Sequence, residues 1–533
     1  MPSSSSRSLR SSRGLCLFFL VALGAPAAAR ERTITFLHIA DTHAQLETHA
    51  EYMPGETPEL DQMGGYARLK TALDRERART PNAVFSADSG DTFQGSGPAA
   101  WSRGEVVLAP LNALGLDVCV PGNWEPVYGA ERFVDLYHRL ACKVVTYNLH
   151  YTKTGERLFA PSVILERGGV KVAFVGITDP TTTKRQPPDQ VRGLDSTRME
   201  GLRDYVKRLR SEQHPDLVVV VDHTGLTVSR QLAREIPELD VILSGHTHER
   251  TWHSITEGKV IVVEPGSMGS FLGRLDVTLD DAGHVSGHTF KLIPVRASSY
   301  PEDPAVKALV DRNLAPYRAR SQKVVGRTQT PVLRYDVLET NADNLIADAV
   351  KEGTHAELAT TNGFRFTPPI LAGELTEGDM WSLLPLDAHV KMGWVTGREL
   401  RAYLELELVF ASDPWKLSGG WGPRIAGMVL TFAAYDPEGK RLRSVSIGGK
   451  PMNDDRHYTF AGCERAGEPL DVVCRMVGVH DVKILPLGVH EMLDAYLQRH
   501  PIISPVRDGR ARATDLPPHV FSQDAVLAHQ KNP

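Results

Sequence analysis

Five polar segments of this chain each follow a run of apolar or β-branched residues and carry the residue types that bind divalent cations. Such runs predict buried strands, and loops at the ends of neighbouring strands can converge on one edge of a sheet. The residues concerned are Asp41, His43, Asp91, Asn123, His223, His246 and His248. One Asp-x-His or His-x-His pair alone is usually an ordinary loop, but together these residues predict a metal site.

These residue types suit hydrolysis assisted by two cations. A carboxylate can bridge two divalent ions, and such a pair stabilises both the attacking and the leaving oxygen of a displacement. Water held by such ions loses a proton more readily and serves as the nucleophile. Because imidazole and carboxylate ligands suit Mn, Zn or Fe, we predict two divalent ions drawn from these elements as cofactors.

The elements that must position these residues alternate between strand-like and helix-like patterns in the first half of the chain. Residues 33–39, 217–221 and 241–243 predict buried strands, whereas 69–79 and 202–212 predict helices. This alternation predicts a layered α/β domain. The second half also mixes helices and strands, which predicts a second α/β domain.

The length and composition indicate two folded domains in an ordinary globular protein. A chain of 533 residues is too long for one core, and 41% hydrophobic with 23% charged residues is typical of globular proteins. The net charge of -5 gives no basic surface for a nucleic-acid polymer. We predict a signal peptide at 1–29, a catalytic domain at 30–298, a linker helix at 299–325, a second domain at 326–510 and an irregular tail at 511–533.

The first 29 residues resemble a secretory signal peptide. Three arginines precede an apolar stretch at 15–23, and small residues that suit cleavage follow at 25–29. The apolar stretch is short for a membrane span, so we predict a periplasmic or secreted protein with no span after cleavage; an uncleaved anchor is the alternative. In an oxidising compartment Cys463 and Cys474 are close enough to pair, and free buried thiols are the alternative.

Four segments resemble those of the calcineurin-like metallophosphoesterases, and specifically the 5'-nucleotidase family. They are FLHIADTH at 36–43, GGYAR at 64–68, DSGDTFQGS at 88–96 and GHTH at 245–248. The resemblance continues through about residues 325–500. It implies a catalytic domain built as a four-layer β-sandwich flanked by helices, and a C-terminal α/β domain of the 5'-nucleotidase type that binds the substrate.

The resemblance also implies how the ligands divide between two cations, with Asp91 shared. One cation would be bound by Asp41, His43, Asp91 and His248. The other would be bound by Asp91, Asn123, His223 and His246. Asp88 would support these ligands without binding a cation itself.

The segment after Asn123 departs from the family pattern. Trp124 and Val127 stand where the family usually has a His that stabilises or protonates the leaving group and an Asp that orients it. Neither replacement can transfer a proton, and a general acid typically contributes about 10²–10⁴-fold. The residues that would assist the leaving group are therefore unknown from the sequence.

This departure is similar to the thiosulfohydrolase (SoxB-like) branch of bacterial sulfur oxidation. In that branch Trp follows the ligand and a Tyr-Gly pair comes next, as Tyr128 and Gly129 do here. Those enzymes remove a sulfate group from a cysteine persulfide on a carrier protein. A thiolate-type leaving group has a low pKa and needs no general acid, which is consistent with the loss of the His-Asp pair.

Four residues of the second half are predicted to bind substrate. Asn362 and Arg365 resemble a family loop whose Arg contacts the anionic group, a task that guanidinium suits. A surface arginine in a turn is the alternative for Arg365. Trp421 and Arg424 lie where the family has a base-stacking aromatic, and a buried core tryptophan is the alternative for Trp421. The second stacking motif of the family is missing from residues 460–469, so a purine sandwich is not evident.

Three hypotheses follow from these observations. The first is an exported two-metal hydrolase that cleaves small nucleotide-like phosphate esters. The second is a SoxB-like thiosulfohydrolase acting on a carrier-protein S-sulfonate. The third is a protein that binds metals but has lost activity, motivated by the missing proton-transfer pair.

Overall fold

The computed structural model describes residues 1, 3–4, 31–53, 59–362, 367–412 and 422–520. The predicted signal peptide therefore lies almost entirely outside the described residues, as do Arg365, Trp421 and the end of the tail from residue 521. Within the described part, no helix is both long enough and apolar enough to cross a membrane.

The first half of the chain contains sixteen described strands and seven α-helices. The strands are β1 Arg32–Ile39, β2 His49–Met53, β3 Glu59–Met63, β4 Val84–Asp88, β5 Val118–Cys119, β6 Lys143–Val144, β7 His150–Tyr151, β8 Ser162–Arg167, β9 Val170–Ile177, β10 Leu194–Asp195, β11 Leu217–Asp222, β12 Val241–Ser244, β13 Ile255–Glu257, β14 Val260–Val263, β15 Phe271–Leu279 and β16 Val285–Pro294. The helices are α1 Tyr66–Arg79, α2 Gly97–Ser102, α3 Glu105–Ala113, α4 Ala130–His138, α5 Thr182–Arg185, α6 Leu202–Arg208 and α7 Leu226–Glu235. A 3-10 turn at Glu125–Tyr128 follows β5, and a π-helical turn at Leu209–Gln213 extends α6.

The connection and the second half supply the remaining elements. The connecting helices are α8 Pro304–Leu314 and α9 Arg318–Ser321, joined by a 3-10 turn at Ala315–Tyr317. The helices of the second half are α10 Asn341–Thr354, α11 Glu377–Leu383, α12 Gly397–Ser412 and α13 Val489–Arg499. Its strands are β17 Val324–Thr328, β18 Leu358–Thr360, β19 Gly373–Thr376, β20 His389–Thr396, β21 Ile425–Ala426, β22 Met428–Phe432, β23 Leu442–Ile447, β24 Lys450–Pro451, β25 His457–Cys463, β26 His480–Gly488, β27 Ile502–Ile503 and β28 Ala511–Ala513.

Two six-stranded sheets form the centre of the first domain. Their strand orders are β16-β15-β1-β4-β5-β6 and β13-β14-β12-β11-β9-β8. Their facing sides share one apolar core, in which Phe174 of the second sheet meets Phe85 of the first edge to face at 5.3 Å between ring centroids. Because β1, β4, β5 and β6 run parallel, and so do β9, β11, β12 and β14, their carboxyl ends share a common edge.

Helices cover the outer face of each sheet, which completes four layers. Helices α1, α3 and α4 pack on the first sheet through buried residues such as Leu69, Leu111 and Phe133. Helices α6 and α7 pack on the second sheet through residues such as Val206 and Leu232. The predicted layered α/β architecture is therefore confirmed, because strands buried on both faces need helices to cover them.

The predicted linker helix is divided and belongs to the first core. Helix α8 begins at Pro304, where the Asp303 side chain accepts hydrogen bonds from the first-turn backbone N–H groups. Its buried residues Val306, Val310 and Leu314 pack in the core beneath the first sheet. The connection is thus fastened to the catalytic domain rather than spanning freely between the domains.

The second domain is built on a five-stranded sheet of order β21-β18-β25-β20-β26. Helices α10 and α13 pack beside it in one apolar core. The irregular tail that the sequence predicts at 511–533 is not irregular at its first residues. Ala511–Ala513 form strand β28, which pairs parallel to β22 and so extends the ordered domain past residue 510.

The two domains contact each other close to the predicted metal loops. Met268, in the loop between β14 and β15, is fully buried within the core of the second domain, and Trp124 packs against that same core. The Trp101 and Trp381 rings, from opposite domains, meet edge to face at 5.8 Å. These contacts place the loops that follow the parallel strands directly against the second domain.

Candidate metal centre and interdomain cavity

Six of the seven predicted ligands form two groups at the common edge of the sheets. Asp41, His43 and His248 make one group, and Asp91, His223 and His246 make the other. In each group the atoms able to bind a cation lie within 4.8 Å of one another. Each group is therefore compact enough to hold one metal ion.

Asp91 faces both groups. Its Oδ2 lies 3.1 Å from Nε2 of His223 and 3.9 Å from Nε2 of His43. Asn123 adjoins the second group, with its Oδ1 3.2 Å from Nε2 of His223. All seven predicted ligand residues are thus brought to one place, with a carboxylate between the two groups.

The donor set fits cations chemically. Within the first group, Nε2 of His43 and Nε2 of His248 lie 3.1 Å apart, and Oδ1 of Asp41 is 3.3 Å from Nε2 of His248. Oδ1 of Asp41 is buried and accepts no hydrogen bond from the described residues. A buried carboxylate oxygen without a donor is costly, and a cation would satisfy it.

Backbone hydrogen bonds aim two of the imidazoles. The Nδ1–H of His43 donates to the Gln94 carbonyl at 3.0 Å, and the Nδ1–H of His223 donates to the Ser89 carbonyl at 2.6 Å. Each bond fixes the tautomer and leaves Nε2 directed at the shared space. The carboxylates are held similarly, since Asp91 Oδ1 accepts the Trp124 N–H at 2.8 Å.

Five of the seven predicted ligands have left-handed backbone conformations. Their φ angles are 51° for Asp41, 45° for His43, 55° for Asp91, 89° for His246 and 57° for His248. Residues other than glycine rarely adopt positive φ, and each such residue costs about 1–3 kcal/mol. The fold therefore sustains local strain in order to turn these side chains towards one point.

A glycine allows the closest backbone approach at this centre. A Cβ added to Gly122 would lie 2.2 Å from Oδ1 of Asp91. No side chain fits at that distance, so the turn before Asn123 requires glycine. This turn is also braced by a disulfide between Cys119 and Cys142, which joins β5 to the segment before β6.

Charges at the centre are set by burial and by the neighbouring carboxylates. Burial lowers the pKa of His43 to about 4, so this ring is neutral near pH 7. Burial also opposes protonation of His223, but the carboxylates of Asp91 and Asp41 outweigh it and raise the pKa to about 10. A surplus of negative charge therefore surrounds His223, as expected where a cation binds.

Buried carboxyl groups support the loops from behind. Burial raises the pKa of Asp88 to about 7, and this side chain accepts hydrogen bonds from the Gly90 N–H and the Thr92 hydroxyl. Burial raises the pKa of Glu264 to about 8, and this side chain accepts from the Thr247 hydroxyl and the Glu249 N–H. Glu264 thus accepts hydrogen bonds from the residues on both sides of His248.

Trp124 and Val127 occupy different surroundings. Trp124 lines the cavity beside Asn123 and packs on the core of the second domain, whereas Val127 is buried within the first domain. The neighbouring Glu125 is buried and accepts hydrogen bonds from the Thr92 N–H and the Tyr137 hydroxyl. Position 124 therefore joins the domains and presents an apolar surface to the cavity.

A cavity of about 770 Å³ lies between the metal groups and the second domain. The first domain contributes Asp91, Asn123, Trp124, His246, His248 and the segment around Arg185 to its lining. The second domain contributes Asn362, residues 386–389, Leu406, Glu407, Arg465, Arg475 and Val477. The volume suits a ligand of nucleotide size or an extended peptide segment.

The predicted substrate residues of the second domain are placed differently from one another. Asn362 lines the cavity, and its Oδ1 is buried without a hydrogen-bond partner among the described residues. Arg424 is only 2% exposed and does not appear among the described lining residues. Its Nε lies 3.1 Å from Asp343 and its Nη2 donates to the Asp336 carbonyl at 2.7 Å, which is the geometry of a structural ion pair.

Basic residues that sequence reasoning missed also line the cavity. They are Lys184, Arg185, Arg465 and Arg475. The Lys184–Arg185 pair lies in helix α5, in the segment after strand β9, and its position beyond a buried strand is the one signal that the sequence carries for it. Arg465 lies in a segment closed by the disulfide between Cys463 and Cys474, which the sequence had left open between a bond and free thiols.

Comparison with known proteins gives matches to both halves. Residues 34–250 match the calcineurin-like phosphoesterase family, and residues 324–463 match the 5'-nucleotidase C-terminal domain family. "Protein 5NUC" from Lutzomyia longipalpis is 25% identical, covering 92% of this chain and 95% of that protein.

Solved structures with the same fold come from two kinds of enzyme. The sulfate thiohydrolase SoxB of Thermus thermophilus superposes with a TM-score of 0.82 at 23% identity, covering 92% of this chain and 98% of that one. A 5'-nucleotidase precursor, also from Thermus thermophilus, gives 0.80 at 23% identity, covering 91% and 100%. Because these scores are nearly equal, they establish the shared fold and do not separate the two activities.

Proposed function

We propose that this chain cleaves small phosphate esters of nucleotide-like size. The premise is that it belongs to the 5'-nucleotidase family of calcineurin-like metallophosphoesterases and is a metal-dependent hydrolase. One observation supports this most directly. Two groups of buried cation-binding side chains meet at Asp91 on the wall of a cavity of about 770 Å³.

In this proposal, two divalent cations are held by the seven residues, with Asp91 shared. Asp41, His43 and His248 complete one site, and Asn123, His223 and His246 complete the other. Cations bound there would supply Lewis-acid chemistry, activating water as the nucleophile and neutralising charge on the phosphoryl oxygens. Mn, Zn and Fe all suit this ligand set.

The protein's own residues position the ester. Trp124 and the other apolar side chains of the lining lower the polarity of the cavity wall, which strengthens electrostatic interactions with a bound ester. From the family pattern, Arg365 is proposed to contact the anionic group of the ester and Trp421 to stack on its organic part. Asn362 lines the cavity, which supports a role for its loop in binding the ester. Because an indole N–H is not an acid near neutral pH, Trp124 cannot protonate the leaving group.

A second candidate function is hydrolysis of an S-sulfonate on a carrier protein. Trp124 at the metal groups favours it, because a thiolate leaving group needs no proton. Two lining residues, Leu406 and Val477, are exposed by 47% and 71%, so the cavity has an apolar rim that a carrier segment could contact. Free nucleotides offer less apolar surface to such a rim.

Export to the periplasm or the outside of the cell is proposed together with this function. The basic and apolar pattern of the first 29 residues supports it, and so do two disulfides, Cys119–Cys142 and Cys463–Cys474. Disulfides persist in oxidising compartments and are rare in reducing ones.

A hydrolysis panel on the full mature chain tests both candidates. Metal content would be measured first, and the protein would then be assayed with nucleotides, aryl and alkyl phosphates, and an S-sulfonated cysteine peptide. Release of phosphate that a chelator abolishes supports the first function. Release of sulfate from the peptide alone supports the second, and failure on every substrate with both metals bound contradicts both.

A further inference from the structure

Arg185 lies against the metal groups from the side of the cavity. It is the last residue of the short helix α5, beyond strand β9. Its Nη1 is 2.7 Å from Nε2 of His246 and 3.1 Å from Oδ2 of Asp179. The side chain is 25% exposed and lines the interdomain cavity, so a ligand in that cavity can reach the guanidinium.

Both domains hold Arg185 in this position. The Asp179 side chain is 3% exposed and accepts the Thr181 N–H as well as the Arg185 guanidinium, so it is fixed from two directions. From the second domain, Arg465 donates to the Arg185 carbonyl. The next residue, Gln186, donates from Nε2 to the Asn123 carbonyl at 2.7 Å, which ties the segment to the metal loop.

The contact between Arg185 and His246 is incompatible with a cation on His246. A neutral imidazole has one lone pair and one N–H. If a cation takes the lone pair of Nε2, that atom cannot accept a hydrogen bond from Arg185. If the cation takes the lone pair of Nδ1, Nε2 carries the hydrogen and cannot accept a hydrogen bond either. In either tautomer, a cation at this group removes His246 as an acceptor for Arg185, so this side of the guanidinium becomes available to an anion in the cavity.

We propose that Arg185 binds the non-reacting oxygens of the substrate's phosphoryl or sulfonyl group and supplies the positive charge that position 124 lacks. The inference rests on the proposed hydrolysis and assigns a residue to it. A guanidinium matches two oxygens of a tetrahedral anion with two parallel hydrogen bonds. It stays protonated throughout, so it transfers no proton and the leaving group takes its proton from water.

Anion binding by the metal-loaded protein tests this assignment separately from turnover. We would compare wild type, Arg185→Met and Arg185→Lys for calorimetric affinity towards inorganic phosphate and sulfate, for metal content, and for kcat and KM on an aryl phosphate. Arg192→Met is the matched control, because Arg192 lies on the same segment, is 80% exposed and pairs with the surface residue Asp189.

Removing the Arg185 guanidinium removes its charged hydrogen bonds to the anion, so phosphate affinity should fall. Arg185→Met should weaken phosphate binding by roughly 10- to 100-fold with the metal content unchanged, and kcat/KM should fall at least as far. Arg185→Lys should recover part of the affinity, and Arg192→Met should match wild type.

Two outcomes would overturn the assignment. One is unchanged phosphate affinity in Arg185→Met, and the other is loss of bound metal in that variant, which would show a purely structural role. Failure of the proposed function looks different: wild type would hydrolyse nothing, while its phosphate affinity would still report on Arg185.

Discussion

The two walls of the interdomain cavity are built by different means. On the first-domain wall, the side chains come from loops directly after parallel strands, and most of their polar atoms are hydrogen-bonded or grouped for a cation. On the second-domain wall, residues come from longer segments such as 463–475, with exposed apolar side chains at the rim. The first wall therefore presents closely grouped polar side chains, whereas the second presents a broader and partly apolar surface.

This difference separates two tasks. Strand ends are fixed by sheet hydrogen bonds, so they can hold ligands to the fractions of an ångström that a metal centre requires. Longer segments tolerate changes in length and sequence, so they can alter which substrate is accepted without disturbing the centre. We therefore expect changes on the first wall to affect kcat and metal content, and changes on the second wall to affect KM.

The largest effect is expected from the shared ligand of the first wall. Asp91→Asn should lose at least one cation per chain and lower kcat/KM by about 10³-fold or more, because several kcal/mol of charge stabilisation are removed. Metal analysis and steady-state rates measure both. Asp135→Asn, on the exposed face of α4, is the matched control; equal rates in the two variants would contradict the assignment of Asp91.

The next effect concerns the missing proton donor. Trp124→His with Val127→Asp should raise kcat/KM for alkyl phosphates by about 10²-fold while aryl phosphates change little, because only poor leaving groups need an acid. The ratio of alkyl to aryl rates is the measurement. Trp124→Phe keeps an aromatic ring against the second domain but has no acid, so an equal rise there would refute the explanation.

A smaller effect is expected on the second wall. Replacing Cys463 and Cys474 by Ser removes the bond that closes the segment carrying Arg465, which should cost about 2–4 kcal/mol of stability and raise KM about 10-fold. The corresponding change at Cys119 and Cys142 should lower the melting temperature without this rise in KM. A fall in kcat with unchanged KM in the first variant would go against the division of tasks.

The smallest effect is a pH dependence of stability on the first wall. Burial raises the folded-state pKa of Glu264 from 4.5 to about 8. The neutral, protonated side chain is the form that the fold favours, so its full stabilising contribution is present below pH 4.5. This contribution is lost as the pH rises towards 8. Glu264→Gln resembles the protonated form and lacks this loss. The difference in melting temperature between this variant and wild type, measured by calorimetry, should therefore increase by about 1–3 °C in favour of the variant from pH 5 to pH 8. A difference that stays constant with pH would contradict the raised pKa.

The sequence predicted that the metal-binding candidates of the first wall lie together, because these residues follow the strands. Runs such as 217–221 show where a strand ends, and His223 comes directly after it. Parallel pairing then brings such residues to one edge, so residues more than 200 positions apart, such as Asp41 and His248, could be placed together without knowing the rest of the fold. The layered architecture followed from the same alternation.

The second wall was harder to predict because a loop's sequence does not fix its direction. Arg424 and Asn362 come from segments that looked equally suitable, yet Arg424 turns into the domain to pair with Asp343. Arg185 was missed because an arginine after threonines carries no metal-binding signature. Its importance depends on Asp179 and Arg465, contacts that only the folded chain reveals.

The left-handed backbone at Asp41, His43, Asp91, His246 and His248 has a consequence for how the protein acquires its metals. An unfolded or partly folded chain does not populate five such conformations together, so no preformed chelate exists until the sheets have packed. We therefore expect cations to bind here only after the sheets have packed. We also expect the ions present where the chain completes folding, as well as the ligands, to determine which element is bound.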